Sequence, residues 1–216
     1  MRPAFRALVV ATLAALALLS CENTFTTSPL AFLQRDPANL STEQQKEYAY
    51  DALASGDEDK MAEAYALLKD SDDAATQIFA SELALGAAGL QSAVTTALGD
   101  VGGGEDTSTV LEETLAGFTA DDLVLMEEAA ALLDAADETV TPTPEQYAFA
   151  AIGLMAVAVD ENGGSTTGLD GLAPGDPGYE ETQQAEVFLE AAAAALQADG
   201  ESTDLLDNLL GVIQAP

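Results

Sequence analysis

Beyond residue 40, apolar positions recur every three to four residues, the spacing that aligns them on one face of a helix. Tyr48, Ala49, Ala52 and Leu53 share such a face, and Ser41 with Gln44 forms a capping box ahead of it. Gly56 stops this helix and Asp57 caps the next, where Met61, Tyr65 and Leu68 carry the stripe. The tight connection makes the two antiparallel neighbours. One long helix is expected over 72–98, on Phe79, Leu83, Gly86, Leu90, Val94 and Ala97, with Gly86 and Gly89 giving another helix close approach. A loop over 99–107 with Gly102, Gly103 and Gly104 reads as a flexible link. A short helix follows on Val110, Leu111, Thr114 and Leu115, ended by Gly117.

Thr119 and Asp122 cap a helix striped by Leu123, Met126, Ala130 and Leu133. Thr143-Pro144-Glu145-Gln146 combines a cap, a proline at the first helical position and a capping-box acceptor. From Tyr147 to Val159 the next helix is apolar all round, which predicts a buried central helix. Residues 160–178 form the longest break. Asp176-Pro177 then opens a helix with Ala185, Phe188, Leu189, Ala192 and Leu196, closed by Gly200. Ser202 caps a last one with Leu205, Leu206, Leu209 and Leu210. No segment alternates with a strand period. The fold class expected is all-α, about eight antiparallel helices, as an irregular bundle or a stack of helix pairs.

The N-terminus follows a different pattern. Arg2 and Arg6 precede an apolar run, Ala7 to Leu19, broken only by Thr12 and ending in Leu18-Leu19-Ser20-Cys21. A basic start, a short apolar core and a small residue before a cut are the parts of an export signal. The run is shorter than the roughly 20 apolar residues of a spanning helix. Leu18-Leu19-Ser20-Cys21 resembles the lipobox of bacterial lipoproteins, and Cys21 is the only cysteine in the chain. That resemblance implies cleavage before Cys21, a thioether to diacylglycerol on its sulfur, and acylation of its freed amine. Each buried methylene adds about 0.8 kcal/mol, so two or three chains anchor stably. The expected division is 1–20 signal peptide, 21–40 lipidated cysteine and flexible tether, and 41–216 helical domain. The expected place is the cell envelope, on the inner or outer membrane, facing periplasm or exterior.

Charge narrows the choice of partners. The chain carries 38 Asp and Glu against 6 Lys and Arg, a net charge of −32, and its last basic residue is Lys69. Such a surface repels nucleic acid and anionic lipid headgroups. The acids lie between apolar residues at helical spacing, as solvated helix faces. Asp134, Asp137, Asp160, Glu161 and Asp199 sit near helix C-termini, which favour cations. Concentrated salt relieves both penalties, so a halophilic setting is expected, with divalent-cation loading or a basic partner as alternatives.

Candidate chemistry is sparse. Histidine is absent, which removes the commonest general base and metal ligand. No lysine follows Lys69, so Gly102-Gly103-Gly104 is not a P-loop. Asp121-Asp122, Glu112-Glu113 and Glu127-Glu128 are carboxylate pairs of the kind chance provides in so acidic a chain. Asp160-Glu161-Asn162-Gly163 begins like a calcium loop, but the positions for the required Gly and Glu hold Ser165 and Gly171. A plain Gly-rich loop is the simpler reading; casual divalent binding there would use Asp160, Asn162 and Asp170. No catalytic, cofactor or metal residue is assigned, and Cys21 is the one site residue.

Tyr48, Ala52, Gly56-Asp57, Met61, Tyr65 and Leu68 resemble a tetratricopeptide unit, echoed by Ala129, Leu133, Ala136, Pro142 and Tyr147. The family period is about 34 residues, and the echoes do not recur at one period. The resemblance implies a protein-interaction scaffold with an unidentified protein partner. The combination of signal, lipid anchor and helical domain is also similar to the T-component lipoproteins of TRAP transporters, which implies a transport accessory that binds a small solute.

Overall fold

A computed structural model describes residues 37–103, 107–137 and 139–214. Cys21, its leader and most of the expected tether lie outside the described residues. The chain divides into two units, Met1–Leu40 and Ser41–Pro216. In the first, the described part is a single 3-10 turn, Pro37–Asn39, closed by the Leu40 N–H donating to the Pro37 carbonyl at 3.2 Å.

The second unit is all-α. Among the described residues it has nine α-helices and no strand: α1 Thr42–Ser55, α2 Glu58–Leu68, α3 Ala74–Ala87, α4 Leu90–Gly103, α5 Thr107–Leu115, α6 Ala120–Asp137, α7 Pro144–Glu161, α8 Tyr179–Asp199 and α9 Asp204–Ile213. Local chemistry sets many of the boundaries. Ser41 and Gln44 form both arms of a capping box, and Thr143 and Gln146 form another with Pro144 at the first position. Asp57 and Asp73 accept from the backbone N–H groups of Lys60 and Thr76 to start α2 and α3. Thr119 and Asp122 bond reciprocally before α6. Each such cap contributes about 1 kcal/mol by occupying donors that the first helical turn leaves open.

The single helix expected over 72–98 is two helices, bent by 61° between α3 and the first part of α4. Gly89 sits at φ +70°, a left-handed conformation that breaks the helix and that a side chain resists. Gly86 behaves as expected: a Cβ there would lie 2.6 Å from the Met61 sulfur, so its absence lets α2 and α3 close. Helix α4 continues through Gly102 and Gly103, where a loop was expected; Gly104 to Asp106 lie outside the described residues. Helix α8 begins at Tyr179, after Gly178 at φ +80°, rather than at Pro177. The position capping α9 is Thr203, not Ser202.

The packing order explains the shape of the core. Helices α1 and α2 pair, α2 packs on α3, and α3 packs on α6; α6 then packs on α7, and α7 makes its largest contact with α8. Helices α4 and α5 form an excursion between α3 and α6, and each touches α7. Helix α7 is the hub: every residue from Ala150 to Val159 is buried. Its small residues let neighbours approach, since a Cβ on Gly153 would lie 3.2 Å from Met126 of α6 and 3.4 Å from Leu85 of α3. Leu83, Met126, Leu133, Leu154, Met155 and Leu189 fill the space between the helices. Full burial of each such side chain is worth about 1.5–3 kcal/mol. No Asp or Glu is buried among the residues whose burial is described.

Candidate functional site

The adjacent carboxylate pairs diverge, as neighbours on a helix must. Asp122 caps α6. Glu128 reaches α2, where it accepts from the Tyr65 hydroxyl at 2.5 Å and lies 3.6 Å from the Lys69 ammonium. The same ammonium sits 5.3 Å from the Tyr65 ring centroid. Burial, followed by the Glu128 hydrogen bond, raises the Tyr65 pKa. Tyr48, bonded to Glu63, is pushed up to about 12 by burial and by that bond. Both hydroxyls link helices, Tyr48 joining α1 to α2 and Tyr65 joining α2 to α6.

The calcium-like stretch begins on the last turn of α7, which runs through Asp160 and Glu161 where the break was expected to start, and its polar groups are turned to building the loop that follows. Asn162 Nδ2 donates to the carbonyls of Ser165 and Thr167 at 3.1 and 3.2 Å. Asp176 accepts from the Ala173 N–H at 2.8 Å, and Glu161 accepts from the Gly178 N–H at 2.6 Å. Asp160 and Asp170 are exposed. Among the described residues no three His, Cys, Asp or Glu side chains converge on a point where a metal ion would bind.

The concave feature of interest lies where α3, the start of α4 and the start of α7 meet. It is a groove of about 140 Å³ lined by Ser81, Glu82 and Leu85 of α3, Gln91 of α4, and Thr143, Glu145, Gln146 and Phe149 around the start of α7. Leu85 and Phe149 supply its apolar surface. Gln146 Nε2 donates to Glu82 Oε1 at 2.5 Å, which ties the two walls together. The capping box orients this wall, because Gln146 is also its third-position member, accepting from the Thr143 N–H at 2.8 Å. Elsewhere on α3, Phe79 carries the ring of Tyr50 stacked at 4.4 Å, and Tyr50 remains 61% exposed.

No protein-family model, curated protein or solved structure matches the chain. The functional reading therefore rests on the residues themselves. No single helix among the described residues is long and apolar enough to cross a membrane. Sequence reasoning did not find the groove, because its lining comes from segments about 60 residues apart, brought together only by packing. The local signal available was the capping box at Thr143, which predicted the wall but not what faces it.

Proposed function

We propose that the protein is a lipid-anchored, non-enzymatic binding or scaffold lipoprotein of the cell envelope. Its acidic helical domain is held at a membrane by Cys21. The observation that carries the reading is the sequence Leu18-Leu19-Ser20-Cys21 after a basic start and a short apolar run, with no second cysteine in the chain. A domain of successively packed helix pairs supports a docking role of the tetratricopeptide kind, since such stacks present extended surfaces. The excess of exposed carboxylates supports a concentrated-salt setting. At about 140 Å³ the groove between α3, α4 and α7 is smaller than the roughly 300–1,000 Å³ of ligand pockets and is of a size for a docked side chain.

Fractionation of cells making wild type and Cys21→Ser tests the anchor. Wild type is expected in the membrane fraction, released by detergent and not by salt. The variant is expected to leave that fraction or to retain its leader. Equal membrane retention with unchanged processing defeats the proposal.

A further inference from the structure

We infer that the groove between α3, α4 and α7 receives one arginine side chain of a protein partner. The inference rests on the docking reading above and names the chemistry of the partner. Size comes first. A cavity of about 150 Å³ holds a single benzene-sized group, so a groove of about 140 Å³ has room for one side chain. Charge comes second. Glu82 and Glu145 both line the groove, and its lining contains no basic residue. The start of α7 opposes a cation with about half a positive charge. Two full carboxylates outweigh it, and the capping box already occupies the Thr143 and Gln146 N–H groups.

Shape comes third. Leu85 and Phe149 offer apolar surface for an aliphatic stem. Arginine fits this better than lysine. Its guanidinium is planar, weakly hydrated and able to bond several acceptors at once, whereas an ammonium is compact and strongly hydrated. One oxygen of Glu82 is held by Gln146, which fixes that carboxylate in advance of binding. Within residues 41–216, Lys46, Lys60 and Lys69 are each paired with carboxylates outside the groove.

The test uses the full lipidated chain in neutral detergent micelles with N-acetylarginine methylamide as probe, read by NMR titration. The lysine and citrulline counterparts serve as comparators. Citrulline keeps the shape of arginine and removes its charge. The arginine probe is expected to bind at least about fivefold tighter than the lysine probe and about tenfold tighter than citrulline, the scale of a charge-assisted hydrogen bond. Glu145→Gln, at an exposed position, and Glu82→Gln are each expected to weaken it about tenfold. The equally charge-reducing pair Asp199→Asn with Glu201→Gln, outside the groove, is expected to change it less than twofold. Equal weakening by the outside pair shows diffuse attraction and overturns the inference, as do equal binding of citrulline and no binding at all. Cys21→Ser in the same titration keeps the two proposals apart, because groove binding survives loss of the anchor if only the anchor reading fails.

Discussion

The first three helices and the last four handle the same excess of carboxylate by different means. In α1 to α3 each lysine meets an acid: Lys46 and Asp73 at 3.6 Å, Lys60 and Asp57 at 3.0 Å, and Lys69 and Glu128 of α6 at 3.6 Å. From Leu90 onward the domain contains no basic residue. There, apart from Glu128, the acids with a described partner are met by neutral donors. Gln214 reaches Glu186 at 2.5 Å, Gln183 reaches Glu186 at 3.4 Å, and the Gly178 backbone N–H holds Glu161. A neutral donor satisfies a carboxylate's hydrogen bonding and leaves its charge in place. None of the nine helices has a basic residue in its last turn, so the C-terminal helices combine uncompensated dipoles with uncompensated side chains. The first region has cationic partners for some of its acids, and the second has no cation of its own.

If packing carries the C-terminal region, its tightest junction gives the largest effect. Gly178 has φ +80°, and a Cβ there would lie 2.8 Å from the Ala158 carbonyl oxygen, on the backbone of the hub helix. Gly178→Ala combines left-handed strain of about 1–2 kcal/mol with overpacking of about 1–3 kcal/mol. A loss of about 3 kcal/mol in urea unfolding at fixed high salt is expected. The comparison is Gly56→Ala between α1 and α2, at φ +66° with open space around it, where strain alone costs about 1 kcal/mol. Equal losses at the two turns would remove the distinction between them.

Salt gives the next effect. Lowering sodium chloride from about 1 M to about 0.01 M lengthens screening from roughly 3 to 30 Å. Amide hydrogen exchange in α8 and α9 is expected to accelerate by about tenfold or more relative to α1 to α3. Helix ends lack a basic residue in both regions, so the difference is carried by the side-chain carboxylates that have no cationic partner. Uniform acceleration across the domain would mean that net charge alone, and not its local pairing, sets the salt response.

The same division shows what the sequence makes legible. Ser41 with Gln44, Asp57, Thr119 with Asp122, and Thr143 with Gln146 were readable because a cap is a contract between residues three apart. The buried hub was readable because Tyr147 to Val159 has no polar side to expose. The break at Ala88–Gly89 was not, because Phe79, Leu83, Gly86, Leu90, Val94 and Ala97 stay in helical phase across it. Nor was the pairing of α3 with α6, which skips two intervening helices, or the Tyr65–Glu128–Lys69 contact that joins α2 to α6. The groove falls in the same class: Glu82 and Gln146 meet only because α3 and α7 pack around a shared neighbour.

The smallest effect is the one whose sign separates the regions. Asp73 has its pKa lowered, first by the Thr76 hydroxyl and then by the Thr76 N–H and Lys46. A folded pKa below the unfolded one stabilises above the ordinary aspartate range, and the benefit is lost as pH falls through the folded value. Asp73→Ala is therefore expected to destabilise at neutral pH, with the difference from wild type shrinking on acidification. Glu181 is opposite: burial raises its pKa, and the charges of Glu161, Glu127 and Glu180 add to this. A raised folded pKa penalises the ionised folded state. The penalty is absent below the ordinary glutamate value, grows as pH rises towards the folded one, and is full above it. Glu181→Gln should stabilise by about 0.5 kcal/mol at neutral pH, a size set by its half-exposed position and reduced by salt. That gain should vanish below the ordinary glutamate range. Urea midpoints of both variants between pH 3 and 8 measure the two slopes, and slopes of the same sign would show that the carboxylates of the two regions are not differently satisfied.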